Sequence, residues 1–285
     1  MKYAFIDSHR GEFPIRLMCE VLRVSKSGYF DWRNRDASTR ESRRNELVLK
    51  ISRIHLGSRR TYGSPRIYQV LRGMGEQCSK STVERLMRKE GIRSKIRKKF
   101  RVTTDSNHKL PVATNVVKRN FTASAPNQLW CTDITYLWTE EGWLYLAAII
   151  DVFTRKIVGW SMREQLTLPL TLEALEMAIR RQKPAKGLVH HSDKGCQYAA
   201  HEYQHQLRLY GITPSMSRRG QCWDNALMES FFHFLKTEHV YHERFTTRDE
   251  AKTSVFEWIE VFYNRQRIHS AIGFVSPECY EHRAA

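Results

Sequence analysis

With 41% hydrophobic and 27% charged residues, a chain of 285 can bury a substantial core and is not composed like a disordered segment. No apolar run approaches the roughly 20 residues that span a bilayer, and the N-terminus lacks the apolar stretch and small-residue cleavage site of a secretion signal. The six cysteines, at 19, 78, 131, 196, 222 and 279, are too widely spaced for a zinc knuckle, so they are expected to be reduced thiols. The formal net charge of +17 is unevenly spread: residues 1–124 hold 29 Lys+Arg against 11 Asp+Glu, and residues 125–285 hold 18 against 19. A net +18 ahead of a net −1 points to a nucleic-acid-binding module joined to a near-neutral domain with another task.

Residues 13–56 read as helical, with Ser38 and Thr39 as N-caps before 40–56, where Leu47, Ile51 and Ile54 recur at helical spacing. In Arg59-Arg60-Thr61-Tyr62-Gly63-Ser64-Pro65-Arg66-Ile67, Ser64 as N-cap and Pro65 at the first helical position predict a helix that Gly73 and Gly75 stop. A second helix from Ser81 through Val83, Leu86 and Met87 ends at Gly91. Two short helices joined by a glycine-containing turn make a helix-turn-helix region. Its basic residues continue into Lys95-Ile96-Arg97-Lys98-Lys99-Phe100-Arg101, five of seven basic. The expected DNA contacts are Arg59, Arg60, Tyr62, Arg66, Arg85, Arg88, Lys89, Lys95, Arg97, Lys98 and Lys99; a solvated basic hairpin is the bland alternative. Residues 102–125 turn polar and aperiodic, as a linker does.

From Pro126 the texture changes to strands. The pattern predicts strands over 129–137, 143–150 and 156–160, a helix over 168–181, a strand over 187–191, a helix over 199–210, a strand over 212–216 and a long helix over 224–239. The order β-β-β-α-β-α-β-α fits an α/β fold with an RNase H-like mixed sheet flanked by helices, preceded by an all-α helix-turn-helix region. The expected regions are 1–57 helical, 58–101 helix-turn-helix, 102–125 linker, 126–240 catalytic core and 241–285 a C-terminal helix and tail.

Three acids stand in chemically suggestive settings. Asp133 interrupts the apolar strand Trp130-Cys131-Thr132-Asp133-Ile134-Thr135-Tyr136-Leu137, where an unpaired charge would cost several kcal/mol. Asp193 follows the strand Val189-His190-His191-Ser192 directly, at the edge where α/β proteins bind ligands. Glu229 lies in the long helix. At about 100° per residue, Leu227, Phe231, Phe234 and Leu235 form its core face, with Asn225, Glu229, Phe232, His233 and Lys236 opposite. Singly, each acid could be a satisfied polar residue, a turn residue or a solvated helix position; three such settings together argue for a site.

These blocks resemble the second-reading-frame (OrfB) transposases of the insertion-sequence family numbered three, relatives of retroviral integrases. The family pattern is two aspartates and a glutamate with 35 residues between the last two, the separation of Asp193 and Glu229 here. The flanks Trp130-Cys131-Thr132-Asp133, His191-Ser192-Asp193-Lys194-Gly195 and Trp223-Asp224-Asn225-Ala226, and Lys236 seven residues after the glutamate, resemble the family too, as does the segment 60–67. The resemblance implies an integrase-type core whose catalytic and metal-binding residues are Asp133, Asp193 and Glu229, with Lys236 and Asn225 at the DNA.

Clustered carboxylates with oxygen-only ligation suit Mg²⁺ or Mn²⁺, two ions about 3.5–4 Å apart clamping the attacking and leaving oxygens of an in-line displacement. The resemblance further implies hydrolysis that frees a 3′-hydroxyl, attack of that hydroxyl near the other element end, and a circle that integrates elsewhere. Implied partners are double-stranded DNA (terminal inverted repeats and target), further copies of the chain on paired ends, and a first-frame (OrfA) protein or fusion; no membrane is involved, and the location is the bacterial cytoplasm at the nucleoid. An RNase H-like nuclease without strand transfer would share the triad and is separated by a strand-transfer assay. A catalytically inactive DNA-binding regulator is separated by metal-dependent nicking. The charge asymmetry predicts that a 125–285 fragment binds duplex DNA far more weakly than the whole chain, whose affinity falls steeply with added salt, as filter binding between 50 and about 200 mM salt would measure.

Overall fold

Strand β2 (Gly142–Asp151) contains the longest apolar run of the sequence, and the sheet is assembled around it. The computed structural model describes residues 1–35, 38–95, 113–118, 120–217 and 225–284. Strands β1 (Leu129–Thr139), β2 and β3 (Ile157–Arg163) form an antiparallel meander, and β4 (Val189–Ser192) and β5 (Thr213–Met216) add in parallel, giving the order β3-β2-β1-β4-β5. Alternation along β2 supplies both faces: Leu144, Leu146, Ala148 and Ile150 enter one core cluster, Ala147 and Ile149 the other. A sheet buried on both faces needs helices on both sides.

Two compact units are formed by Met1–Arg53 and Ile54–Ala285. In the first, α1 (Lys2–Ser8), α2 (Ile15–Val21) and α3 (Lys26–Asn34) bury Ile6, Met18, Cys19 and Tyr29 together, and the Tyr29 hydroxyl donates to Asp7 Oδ1 at 2.9 Å. The helical stretch expected over 13–56 consists of α2, α3 and α4 (Thr39–Gly57), the last beginning at the expected caps Ser38 and Thr39. Arg23 adopts φ 52° after α2, and Ser25 then caps α3 by accepting from Gly28 N.

In the second unit, α5 (Ser64–Gly73) and α6 (Lys80–Lys89) pair through Ile67, Leu71, Val83, Leu86 and Met87, all buried, as the periodicity predicts. The starts differ slightly: Gly63 is the N-cap of α5, with Ser64 already helical, and Ser79 caps α6 by accepting from Thr82 N at 3.1 Å. One face of the sheet is covered by α7 (Leu168–Gln182), α8 (Cys196–Ala199) and α9 (His201–Leu209), the other by α10 (Ala226–Glu238) and α11 (Arg248–Glu257) with its π-helical continuation Trp258–Tyr263. The chain closes with α12 (Pro277–Ala284). The helix expected over 199–210 is α9, and α8 is a separate helix that ends just before it because Ala200 is extended (φ −60°, ψ 140°). The expected start of the long helix at Asp224 and half of the expected linker lie outside the described residues.

Gly159 in β3 lets α7 approach the sheet: a Cβ there would collide with the Ala174 carbonyl and come within 2.7 Å of Ala178 Cβ and 2.8 Å of Ala178 N. Backbone, unlike a flexible side chain, cannot yield. Gly159→Ala is therefore expected to cost about 1–3 kcal/mol of stability, measured as a lower urea midpoint.

Candidate active site

The parallel ladder between β1 and β4 pairs Leu129 with Val189, Trp130 with His190 and Cys131 with His191. Continued for two residues, that register brings Asp133 level with Asp193, one residue past the end of β4. Strand β4 stops at Ser192, so the chain can turn there, and Asp193 Oδ1 accepts from Gly195 N at 2.8 Å within the turn. Asp133 Oδ1 accepts from Ile134 N at 2.8 Å. Each carboxylate is oriented by a nearby backbone amide.

Glu229 arrives from the opposite direction, in the first turn of α10, and is half-buried. The helix is rotated from the angular reading. Met228, Phe231, Phe232 and Leu235 are buried in the core cluster, whereas Leu227 and Phe234 only pack against its margin. Phe232, Asn225 and Lys236, expected on the outer face, are buried at 7%, 6% and 6% exposure; His233 is exposed. A single apolar stripe describes a helix with one free side, and α10 is covered on most sides.

The electrostatics link the three acids. Burial pushes the Asp133 carboxyl well above its ordinary range, the charge of Asp193 pushes it further, and that of Glu229 adds to this; the Ile134 amide and Lys236 pull it back. Glu229 is raised by burial. Lys236 is lowered to about 8 by burial, with Asp133 opposing, and its Nζ lies 4.9 Å from the centre of the Tyr136 ring. Three carboxylates and one ammonium therefore share a local field, and the donor set is all oxygen, as hard divalent cations require. Among the described residues, no three His, Cys, Asp or Glu side chains are gathered into a ready-made metal nest. Asp133 sits on β1, Asp193 in the turn directly after the adjacent strand β4, and Glu229 on α10.

A buried acid nearby has a different fate. Asp151, 1% exposed, accepts from Asn127 N, Thr154 N and the Thr154 hydroxyl, so the turn after β2 satisfies it locally.

The expected DNA contacts divide into three groups. Arg60, Arg85, Arg88 and Lys89 are exposed, Arg88 pairing with Glu84 at 3.1 Å along α6. Lys95 is half-buried, its backbone N–H bonded to the Arg60 carbonyl; Arg97, Lys98 and Lys99 lie outside the described residues. The remainder are engaged within the protein. Tyr62 is 4% exposed, and its hydroxyl donates to the Gln266 carbonyl while accepting from Ile268 N. Arg59 pairs with Glu257 at 2.5 Å and stands over the Phe262 ring. Arg66 lies over the Tyr62 and Phe234 rings and 3.5 Å from Glu238. Asn225 donates to the Thr132 carbonyl at 3.0 Å. For Tyr62 and Asn225 the expectation of DNA contact meets side chains already spent on backbone partners inside the fold.

Sequence reasoning missed the ion pair at the far end of α10. Arg267, fully buried, donates Nε and Nη2 to the two oxygens of Glu238, each at 2.7 Å, and faces the Phe234 ring at 4.1 Å. Burial works against the guanidinium charge, but Glu238 more than offsets it and holds Arg267 above its ordinary pKa. His269, depressed to about 2 by burial and then by Arg267, is neutral and accepts from Arg267 Nη1 at 3.1 Å. The segment Tyr263-Asn264-Arg265-Gln266-Arg267-Ile268-His269 holds the only local signal, basic residues set beside an aromatic ring.

Comparison with known proteins follows the same outline. Residues 123–222 and 210–277 match two models described as integrase core domain, and residues 42–100 match an HTH-like domain. The chain is 43% identical over 285 residues to the transposase InsF for insertion sequence IS3A of Escherichia coli (strain K12), covering 99% of each. It is 46% identical over 266 residues to the insertion element IS600 uncharacterized 31 kDa protein of Shigella sonnei, covering 93% of this chain and 98% of that one. Among solved structures, the HTLV-2 integrase catalytic core domain in complex with magnesium aligns at 16% identity and TM-score 0.45, covering 56% of this chain and all of that one.

Lys236 yields a test of the site's electrostatics. Its folded pKa of about 8 lies below the ordinary lysine value of 10.5, so the unfolded chain holds the proton more tightly and stability rises with pH between those values. Below pH 8 the buried ammonium costs about 3 kcal/mol. Lys236→Met is expected to be more stable than the parent at pH 7.5 and to lose the rise between pH 8 and 10, read from urea midpoints in metal-free buffer.

Proposed function

The chain belongs to the IS3 family of insertion-sequence transposases, and from that footing we propose that Asp133, Asp193 and Glu229 are the acids with which it cuts and joins DNA strands. As a bacterial insertion-sequence DNA transposase with an integrase core and an HTH-like region, it acts on DNA. No described helix is long and apolar enough to cross a membrane.

The observation that carries the assignment is the continuation of the β1–β4 register, which brings Asp133 level with Asp193 just past the end of β4; burial, and then the charge of Asp193, raise the Asp133 carboxyl. Adjacent carboxylates that resist joint ionisation favour a cation between them, and their oxygen donors suit Mg²⁺ or Mn²⁺. Asp133, Asp193 and Glu229 would hold the metal, in our reading as two ions. Bound there, it would supply charge stabilisation to the attacking and leaving oxygens of the phosphodiester.

The protein's own contributions are orientation and charge. The Ile134 and Gly195 amides aim the two aspartates, and the packed face of α10 fixes where Glu229 stands. Lys236 offsets part of the carboxylate field from the same helix. Water, or in the joining step a DNA 3′-hydroxyl, attacks phosphorus while the 3′-oxygen of the cut strand departs; no covalent bond between protein and DNA is required. The exposed bases of α6 and the basic stretch after it supply phosphate contacts at the element ends. Further copies of the chain would pair those ends, with the first-frame product completing end recognition.

Asp133→Asn, Asp193→Asn and Glu229→Gln are each expected to lower cleavage of a labelled inverted-repeat duplex by at least about 1000-fold in Mg²⁺, because each removes a charged ligand oxygen. Binding of the same duplex should stay within about twofold, since the basic region supplies most of the affinity. Near-parental cleavage by any one variant removes that residue from the assignment.

A further inference from the structure

The three candidate carboxylates lie on separate elements, and a metal-dependent site needs them held to fractions of an ångström. Their immediate neighbours converge on one residue. Thr132 precedes Asp133 and is 1% exposed. Its hydroxyl donates to the Ala148 carbonyl of β2 at 3.0 Å and lies 3.2 Å from the Tyr198 hydroxyl. With its one proton committed to Ala148, the Thr132 oxygen accepts from Tyr198. Tyr198 is on α8, five residues after Asp193, and is 1% exposed. The Thr132 carbonyl accepts from Asn225 Nδ2 at 3.0 Å; Asn225 stands at the start of α10, one helical turn before Glu229.

Resting on the reading of Asp133, Asp193 and Glu229 as metal ligands, we propose that Thr132 is a positioning node, through which Tyr198 and Asn225 tie the turn after β4 and the start of α10 to the strand that carries Asp133. Each carboxylate then has a tether within five residues, and all the tethers end on the same buried threonine. The β1–β4 ladder stops at Cys131↔His191, one residue before the node, so sheet hydrogen bonding alone does not set the spacing beyond it. The Asn225 Oδ1 is buried with no partner among the described residues, so the side chain's polar bonding is through Nδ2, the atom that holds the strand. Valine at 132 and phenylalanine at 198 would fill the same space; the two hydroxyls add the Tyr198 tether and the Thr132 bond to Ala148.

The test uses the whole chain and two readouts, the Mn²⁺ concentration for half-maximal cleavage and the rise in melting temperature that Mn²⁺ gives without DNA. Thr132→Val, Tyr198→Phe and Asn225→Ala each remove one tether, and Thr132→Ser restores the hydroxyl. We expect the Val, Phe and Ala variants to need about 10-fold more Mn²⁺ and to lose most of the Mn²⁺-induced stabilisation, with duplex affinity unchanged and the Ser variant regaining most of both. If these variants shift only the metal-free melting temperature and keep the parental Mn²⁺ dependence, the node is ordinary packing and the proposal falls. Asp133→Asn separates the two levels: should it also keep cleavage and Mn²⁺ stabilisation, the ligand assignment fails; should it lose both while Thr132→Val and Asn225→Ala lose neither, only the node fails.

Discussion

Repulsion between carboxylates that the fold forces together is the constraint on which this structure turns. Asp133 lies in β1 and Asp193 just past the end of β4, level with it in the continuing register, and desolvation of Asp133 strengthens the repulsion between them. A fold seeking stability alone would separate them or neutralise them locally, as the turn after β2 does for Asp151 with three hydrogen bonds. The surroundings of Asp133 and Asp193 instead aim the oxygens, Lys236 on α10 offsets part of the Asp133 charge, and in the proposed site a divalent cation would offset more. The covered sheet, the packed helix and the buried threonine beside Asp133 all serve to hold that unfavourable arrangement still.

Much of this was legible in the sequence. The succession of strands along the chain followed from the apolar, β-branched runs in 129–160 and from the short apolar runs before Asp193 and after Tyr210, because composition and length are local properties; the sheet order was not legible. The three acids stood out for the same reason: each interrupts or ends a pattern. What was illegible is what depends on tertiary covering. The stripe of α10 was assigned from one-sided amphipathicity, yet Phe232 and Lys236 are buried because elements far along the chain cover the helix. Tyr62 and Arg66 read as DNA contacts because aromatic and basic residues near a helix-turn-helix suggest phosphate. Their partners, Gln266, Ile268 and Glu238, lie about 170 to 200 residues away and leave no local trace.

The same long-range pairing changes how the basic half of the protein is to be understood. Positive charge in 1–124 is a statement about partners, and α6 presents it outward on Arg85, Arg88 and Lys89. The turn just before α5 has another occupation. Arg59 and Arg60 both take positive φ, 55° and 60°, a costly conformation for residues with a Cβ, and the side chains of Arg59, Tyr62 and Arg66 reach Glu257, the 266–268 backbone and Glu238. Strain there is sustained by bonds to the C-terminal part of the same unit.

Glu238 joins these themes, since it ends the helix that carries Glu229 and is shared by Arg267 and Arg66, one from each end of the chain's second unit. Its geometry limits modular exchange. Transplanting the α5–α6 segment from a distant transposase, in the hope of redirecting the enzyme to new element ends, would bring a strange tyrosine and arginine to a socket cut for Tyr62 and Arg66. The HTH-like region and the helix that carries Glu229 share a buried charge cluster at Glu238, so substitutions on the outer face of α6 disturb the fold less than exchange of the whole segment.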